Sequence, residues 1–126
     1  MGGIIKILVL FGILVIAQCL TPEEKEQMLA IHRGCGMSDE VSENAFRGQF
    51  PDDGEFKAHV FCISKKLGVQ NEMGELQVQF ITDMLHNLHT DDNKVEEILS
   101  KCMVQRSTPE ESAFEALTCM HNVRAS

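Results

Sequence analysis

Apolar residues recur at helical spacing along most of the chain after residue 20, and no segment shows strand-like alternation. The stretch from Phe56 to Gly68 organises the rest. Phe56, Val60, Ile63 and Leu67 share one helical face. Lys65 and Lys66 fall in the last turn, where their charge opposes the negative end of the helix dipole, and Gly68 supplies the stop. Cys62 projects from another side, with Ala58 one turn before it. One side packs and the other is cross-linked, so this short helix is predicted to be a hub.

The remaining helices follow from caps and stripes. Thr21-Pro22-Glu23-Glu24 is a complete start: Thr21 caps, Pro22 needs no amide partner, and Glu24 closes the capping box. That helix runs to Arg33 and stops at Gly34. Ser38 caps a shorter one over Asp39 to Arg47, with Val41, Ala45 and Phe46 turned inward. Pro51-Asp52-Asp53-Gly54 is a turn by composition, and Val69 to Gly74 is a connector. Glu75 to Leu88 carries the cleanest amphipathic stripe: Leu76, Phe80, Ile81, Met84, Leu85 and Leu88. Caps at Thr90 to Asn93 precede a helix whose stripe is Val95, Ile98, Leu99, Cys102 and Met103. Thr108-Pro109-Glu110-Glu111 repeats the first start, and Ala113, Phe114, Leu117 and Met120 face inward after it. Six short helices with short connections predict an all-α globule.

The N-terminus changes the picture of where this globule works. Lys6 precedes a continuous run of about a dozen apolar residues that ends in small ones, the layout of a secretory signal peptide. The run is shorter than the roughly 20 residues of a comfortable transmembrane helix. Cleavage after Ala17 or after Cys19 fits; Cys19 is preferred, since it leaves an even set of cysteines, Cys35, Cys62, Cys102 and Cys119. The expected division is a signal peptide over 1–19 and one domain over 20–126. A mature domain of about a hundred residues buries a modest core, and two disulfides are a natural supplement outside the cell. Four cysteines allow three pairings, and spacing alone does not choose among them. The formal charge of −8 opposes nucleic acid or an anionic membrane as partner, although acidity also simply keeps a secreted protein soluble.

Candidate chemistry is sparse. Phosphate-binding glycine loops, HExxH, GxSxG and CxxC are all absent, so neither an enzyme nor a zinc or redox site is expected. His86 and His89 share a helix side but stand at a helix end, where a solvated turn explains them. His32 and His121 lie near helix C-termini, where a cation is welcome for stability alone. His59, flanked by apolar residues, is expected to be a partly buried, satisfied imidazole. Seven Met and seven Phe, without Trp or Tyr, give flexible and flat apolar surfaces lacking polar tips. A packed core accounts for them, and so does a surface that adapts to varied apolar ligands.

The spacing of Cys35, Cys62, Cys102 and Cys119 resembles that of the insect odorant-binding proteins of the pheromone-binding/general odorant-binding family, from about Leu20 onward. Members usually carry six cysteines, with three residues between the second and third and eight between the fifth and sixth. Cys35 matches the first. Cys62 fits either the second, which would leave the vacancy at Lys66, or the third; Cys62-Ile63-Ser64-Lys65-Lys66-Leu67-Gly68 resembles the third cysteine and the glycine that commonly follows it, which places the second at Ala58. Cys102 and Cys119 match the fourth and sixth, which places the fifth at Glu110, followed by the family's habitual Glu111-x-Ala113-Phe114. The two vacated positions are mutual partners in the family. The chain thus resembles the Minus-C subgroup, which implies the pairs Cys35–Cys62 and Cys102–Cys119.

The resemblance implies an all-α fold of about six helices around an internal apolar cavity, stapled by two disulfides. It implies a secreted, non-enzymatic carrier of a small odorant- or pheromone-like molecule, needing no cofactor or metal, and monomeric or weakly dimeric. A chemosensory receptor is a candidate partner. The expected lining is Phe56, Val60, Phe80, Met84, Leu88, Leu99, Met103, Phe114 and Leu117. Only Met120 to Ser126 follow the last cysteine, so a long C-terminal segment plugging a cavity is not expected. The competing expectation is a secreted helical interaction or venom-type protein with a solid core and a surface epitope.

Overall fold

The structure is a computed structural model that describes residues 22–87 and 90–125. The predicted leader, the Thr21 cap, Leu88 and His89 lie outside the described residues. Among the described residues six helices follow one another: α1 (Pro22–Gly34), α2 (Asp39–Phe46), α3 (Gly54–Leu67), α4 (Val78–Asn87), α5 (Asp92–Cys102) and α6 (Pro109–Ala125). Among the described residues there is no strand beyond one isolated bridge, Gln70 to Leu76. No helix among them is long and apolar enough to cross a membrane.

The caps at Ser38 and Thr108 are the predicted ones, and Asp53, expected only as part of a turn, caps α3. The Ser38 side chain accepts from Val41 N, Asp53 from Phe56 N at 2.7 Å, and Thr108 Oγ1 from Glu111 N at 3.1 Å. Each satisfies an amide that the first helical turn leaves without an intrahelical partner. Gly68 ends α3 in the left-handed conformation at φ 87°, and its N–H donates to Lys65 and Ser64 carbonyls.

The helices pack in the succession α2, α1, α3, α6, α5, α4. The hub role predicted for α3 is therefore shared with α6, and the reason is in α6's own sequence. Ser112, Ala113, Phe114, Ala116, Leu117, Met120 and Val123 are all buried, a face wide enough to serve α3 and α5 together. The disulfides are Cys35–Cys62, with Cα atoms 5.7 Å apart, and Cys102–Cys119 at 5.4 Å. The first fixes the end of α1 to α3, and the second fixes α5 to α6.

The main departure from expectation is at the start of α4, which begins at Val78 rather than Glu75. Asn71 Oδ1 accepts from Met73 N and Glu75 N, which closes a tight turn, and Gln77 N donates to Val69 O. These local bonds hold the backbone from Asn71 to Gln77 in a non-helical turn, so helical geometry begins only at Val78. The connector is also buried: Val69 is fully inaccessible and Gln70 is 2% exposed. Gln70 Nε2 donates to the carbonyls of Gly74 and Pro109, and Gln105 Nε2 donates to Gly74 O and Ser112 Oγ. Gly74, at φ 84°, lies so close to Pro109 that a Cβ there would collide with the proline ring. This turn is locked against the start of α6.

Candidate functional site

The buried apolar side chains form two clusters. The larger joins Met28 and Leu29 of α1, Phe46 of α2, Leu67 of α3, Ile81, Met84 and Leu85 of α4, Val95, Ile98 and Cys102 of α5, and Met120 and Val123 of α6, with Val69 from the connector. The smaller joins Met37, Ala45, Phe56, Val60, Ala113, Phe114 and Leu117. Only α2, α3 and α6 send buried residues to both, and Ile63 touches both from α3.

The candidate lining residues divide along the same boundary. Phe56, Val60, Phe114 and Leu117 belong to the smaller cluster, where the Phe56 and Phe114 rings meet edge to face at 6.2 Å. Met84 is buried in the larger cluster, and Phe80, Leu99 and Met103 pack against it half-buried. Leu99 also borders an open surface trough with Glu96, Glu97 and Ser100. Eight of the nine candidates are thus in the apolar interior or against it, as two groups rather than one, and Leu88 lies outside the described residues.

A pit of about 120 Å³ opens beside the smaller cluster, lined by Gly36, Ser38, Val41, Pro51, Asp53, Glu55, Phe56 and His59. Its polar rim is partly committed, because Ser38 and Asp53 cap the two helices that form it.

Polar groups inside the fold are few. Ser64 Oγ and Gln70 Oε1 are buried with no hydrogen-bond partner among the described residues. Ser64 stands on the inward side of α3, one turn after Val60 of the smaller cluster and one turn before Leu67 of the larger. Sequence reasoning missed both groups, since a serine in a helix and a glutamine in a connector carry no periodic signal.

His32 corrects an expectation. The residue is 9% exposed, Nδ1 lies 2.8 Å from Ser42 Oγ, and the Phe46 ring packs 5.6 Å away. Desolvation by burial pushes its pKa from 6.5 down to about 4. The α1 terminus would welcome a cation, but loss of hydration outweighs that attraction, and the imidazole is neutral at pH 7. His59 is half-buried, as expected, and packs near Gly36. His86 is exposed, 3.8 Å from Asp92 Oδ1. No group of three or more metal-ligating side chains occurs among the described residues.

Charged groups lie outside the apolar clusters. Lys57 Nζ pairs with Glu111 at 2.7 Å and Asp52 at 2.9 Å while lying 4.9 Å from the centre of the Phe114 ring. Those hydrogen bonds to carboxylates hold its pKa above the usual lysine range. Lys25 and Lys65 similarly sit over Phe46 and Phe61.

The chain matches the PBP/GOBP family over residues 17–123. The B1 protein of Tenebrio molitor is 33% identical over 112 residues, covering 86% of this chain and 86% of that protein. The B2 protein of Tenebrio molitor is also 33% identical over 112 residues, covering 86% and 88%. No solved structure matches the chain. Six helices, the two cysteine pairs that the four-cysteine pattern implied and a match spanning nearly the whole domain lead to one conclusion: this chain belongs to the PBP/GOBP family, a family of binding and carrier proteins.

Proposed function

We propose that this protein is a secreted carrier that takes up one small apolar molecule, of the size of an odorant or pheromone, between its central helices. Family membership is the observation that carries the reading. The two apolar clusters that meet at α3 and α6 support it, as does an interior rich in Met and Phe that repacks at low cost. The lining would come from Phe56, Val60, Phe114 and Leu117 on one side and from Phe80, Met84, Leu88, Leu99 and Met103 on the other. Ser64 Oγ and Gln70 Oε1 are the unpartnered polar atoms able to take up a single hydroxyl or carbonyl of the guest.

A guest of about ten carbons presents roughly 300 Å² of apolar surface, and its burial is worth about 7 kcal/mol before association costs. Taken alone that term corresponds to a Kd of about 10 μM, so micromolar affinity requires close packing and the polar contact to offset the cost of association. A leader that directs secretion, and delivery to a chemosensory receptor, belong to the same reading.

The test is displacement of an apolar fluorescent reporter, needed because the chain has no Trp. Saturable reporter binding, competed by medium-sized apolar volatiles at micromolar concentration, is expected. A reporter signal that rises linearly and is not competed by any volatile would refute the carrier and favour a solid core with a surface epitope.

A further inference from the structure

Neither disulfide crosses the boundary between α3 and α6. Cys35–Cys62 joins the α1 end to α3, and Cys102–Cys119 joins α5 to α6, so the two central helices are held to each other without a covalent link. Between them lies the smaller apolar cluster, with Phe56 and Val60 on α3 and Ala113, Phe114 and Leu117 on α6.

Polar ties span this boundary, one through Gln70 and one through Lys57. Gln70, just after α3, donates to Pro109 O at the start of α6 through a buried, neutral group. The other is charged. Lys57, in the first turns of α3, reaches Glu111 in the first turn of α6 and Asp52 in the preceding loop. Its ammonium also lies over Phe114, and its side chain is only 17% exposed. Lys57 therefore closes the seam directly above the Phe56–Phe114 pair. It stands beside Ala58, and Glu111 beside Glu110, the two positions at which the wider family carries a cysteine pair by the alignment above.

We infer that Lys57 is an ionic latch on the α3–α6 seam, and that its release from Glu111 and Asp52 sets the rate at which an apolar guest enters and leaves the smaller cluster. The inference rests on the carrier reading for its guest, but the latch itself is a property of the empty protein. A bridge of carboxylates to an ammonium at the edge of solvent weakens as salt is added, whereas buried Gln70 bonds and apolar packing do not. The expected behaviour is a door pinned at one point by neutral bonds and fastened at another by charge.

Two measurements on the full mature chain test it. The first is stopped-flow dissociation of the fluorescent reporter at about 20 mM and 500 mM NaCl. The wild type is expected to release roughly three- to tenfold faster at the higher salt. Lys57→Met keeps the apolar cover on Phe114 but removes the charge; it releases fast at both salts. Lys57→Arg restores the salt dependence, and Arg33→Met, which breaks the separate pairs to Glu26 and Asp39, leaves it unchanged. Should Lys57→Met fail to fold, Glu111→Gln serves in its place. The second measurement is hydrogen exchange of the ligand-free protein. Amides of Val60 and of Ala113 to Leu117 should exchange several-fold faster at high salt in the wild type and show no salt effect in Lys57→Met.

Salt-independent exchange in the wild type, or the same salt effect in Lys57→Met, overturns the latch even if the reporter binds well. Absence of any saturable reporter binding with salt-sensitive exchange intact overturns the carrier reading and leaves the latch standing.

Discussion

Acidification should destabilise this protein through His32 in particular. Its pKa falls from about 6.5 in the unfolded chain to about 4 in the fold because the ring is buried against Ser42 and Phe46. The sign follows from linkage. The unfolded chain binds a proton more readily than the folded one, so the contribution is fully present above pH 6.5 and is lost as pH falls towards 4. A difference of about 2.5 pH units corresponds to roughly 3 kcal/mol at the acid limit and roughly 2 kcal/mol by pH 5. That is a large share of the 5–15 kcal/mol typical of a small domain. Urea unfolding followed by circular dichroism at 222 nm, at pH 7 and pH 5, measures it without an aromatic reporter. Wild type should lose about 2 kcal/mol more between these pH values than His32→Asn, which keeps a hydrogen-bonding group beside Ser42 but cannot charge. An NMR titration should place the His32 midpoint well below 6.5. Equal pH dependence in the two proteins, or a His32 midpoint near 6.5, would refute the argument that burial outweighs the helix-end attraction.

Other substitutions probe the frame. Gly74→Ala should cost roughly 2–3 kcal/mol by denaturant unfolding, because φ 84° is strained for alanine and its Cβ would collide with Pro109. Met84→Ala, at a side chain 1% exposed, should cost about 2–5 kcal/mol by the same assay, and a value below 1 would indicate that the larger cluster is loosely filled. Ala58→Cys with Glu110→Cys should close a third disulfide under oxidising conditions and raise the unfolding midpoint, with a ceiling of about 3 kcal/mol. Two free thiols by mass, without stabilisation, would instead support the alternative register, with Cys62 as the second cysteine and the vacancy at Lys66.

The elements that carry local chemical signals were legible in the sequence. Ser38 and Thr108 bind the amides that cap residues bind, and Gly68 takes the left-handed conformation that its place after Lys65-Lys66 suggested, whereas Asp53, which composition marks only as a turn residue, caps α3. The disulfide pairing came from the family spacing, not from the geometry of this chain alone. What was not legible depends on contacts distant in sequence. Glu75 to Gln77 fit the α4 stripe, yet the Asn71 turn and the bond from Gln77 to Val69 draw them out of the helix. Periodicity placed Phe56 and Met84 on inward faces but could not assign them to different clusters, because both clusters use the same kind of residue. The place of His32 near the end of α1 predicts a helix-end cation, whereas Ser42 and Phe46 closing over it are contacts that the sequence does not display.

The central claim is that one apolar molecule is held inside the fold, and native mass spectrometry with a titrated medium-chain alcohol or ester tests it most directly. The account predicts a single adduct of one guest per chain that saturates in the micromolar range. Phe114→Ala, which disrupts the smaller cluster, should change its abundance. A ladder of zero, one, two and three adducts growing in statistical proportion to concentration, and unaltered by that substitution, would contradict it.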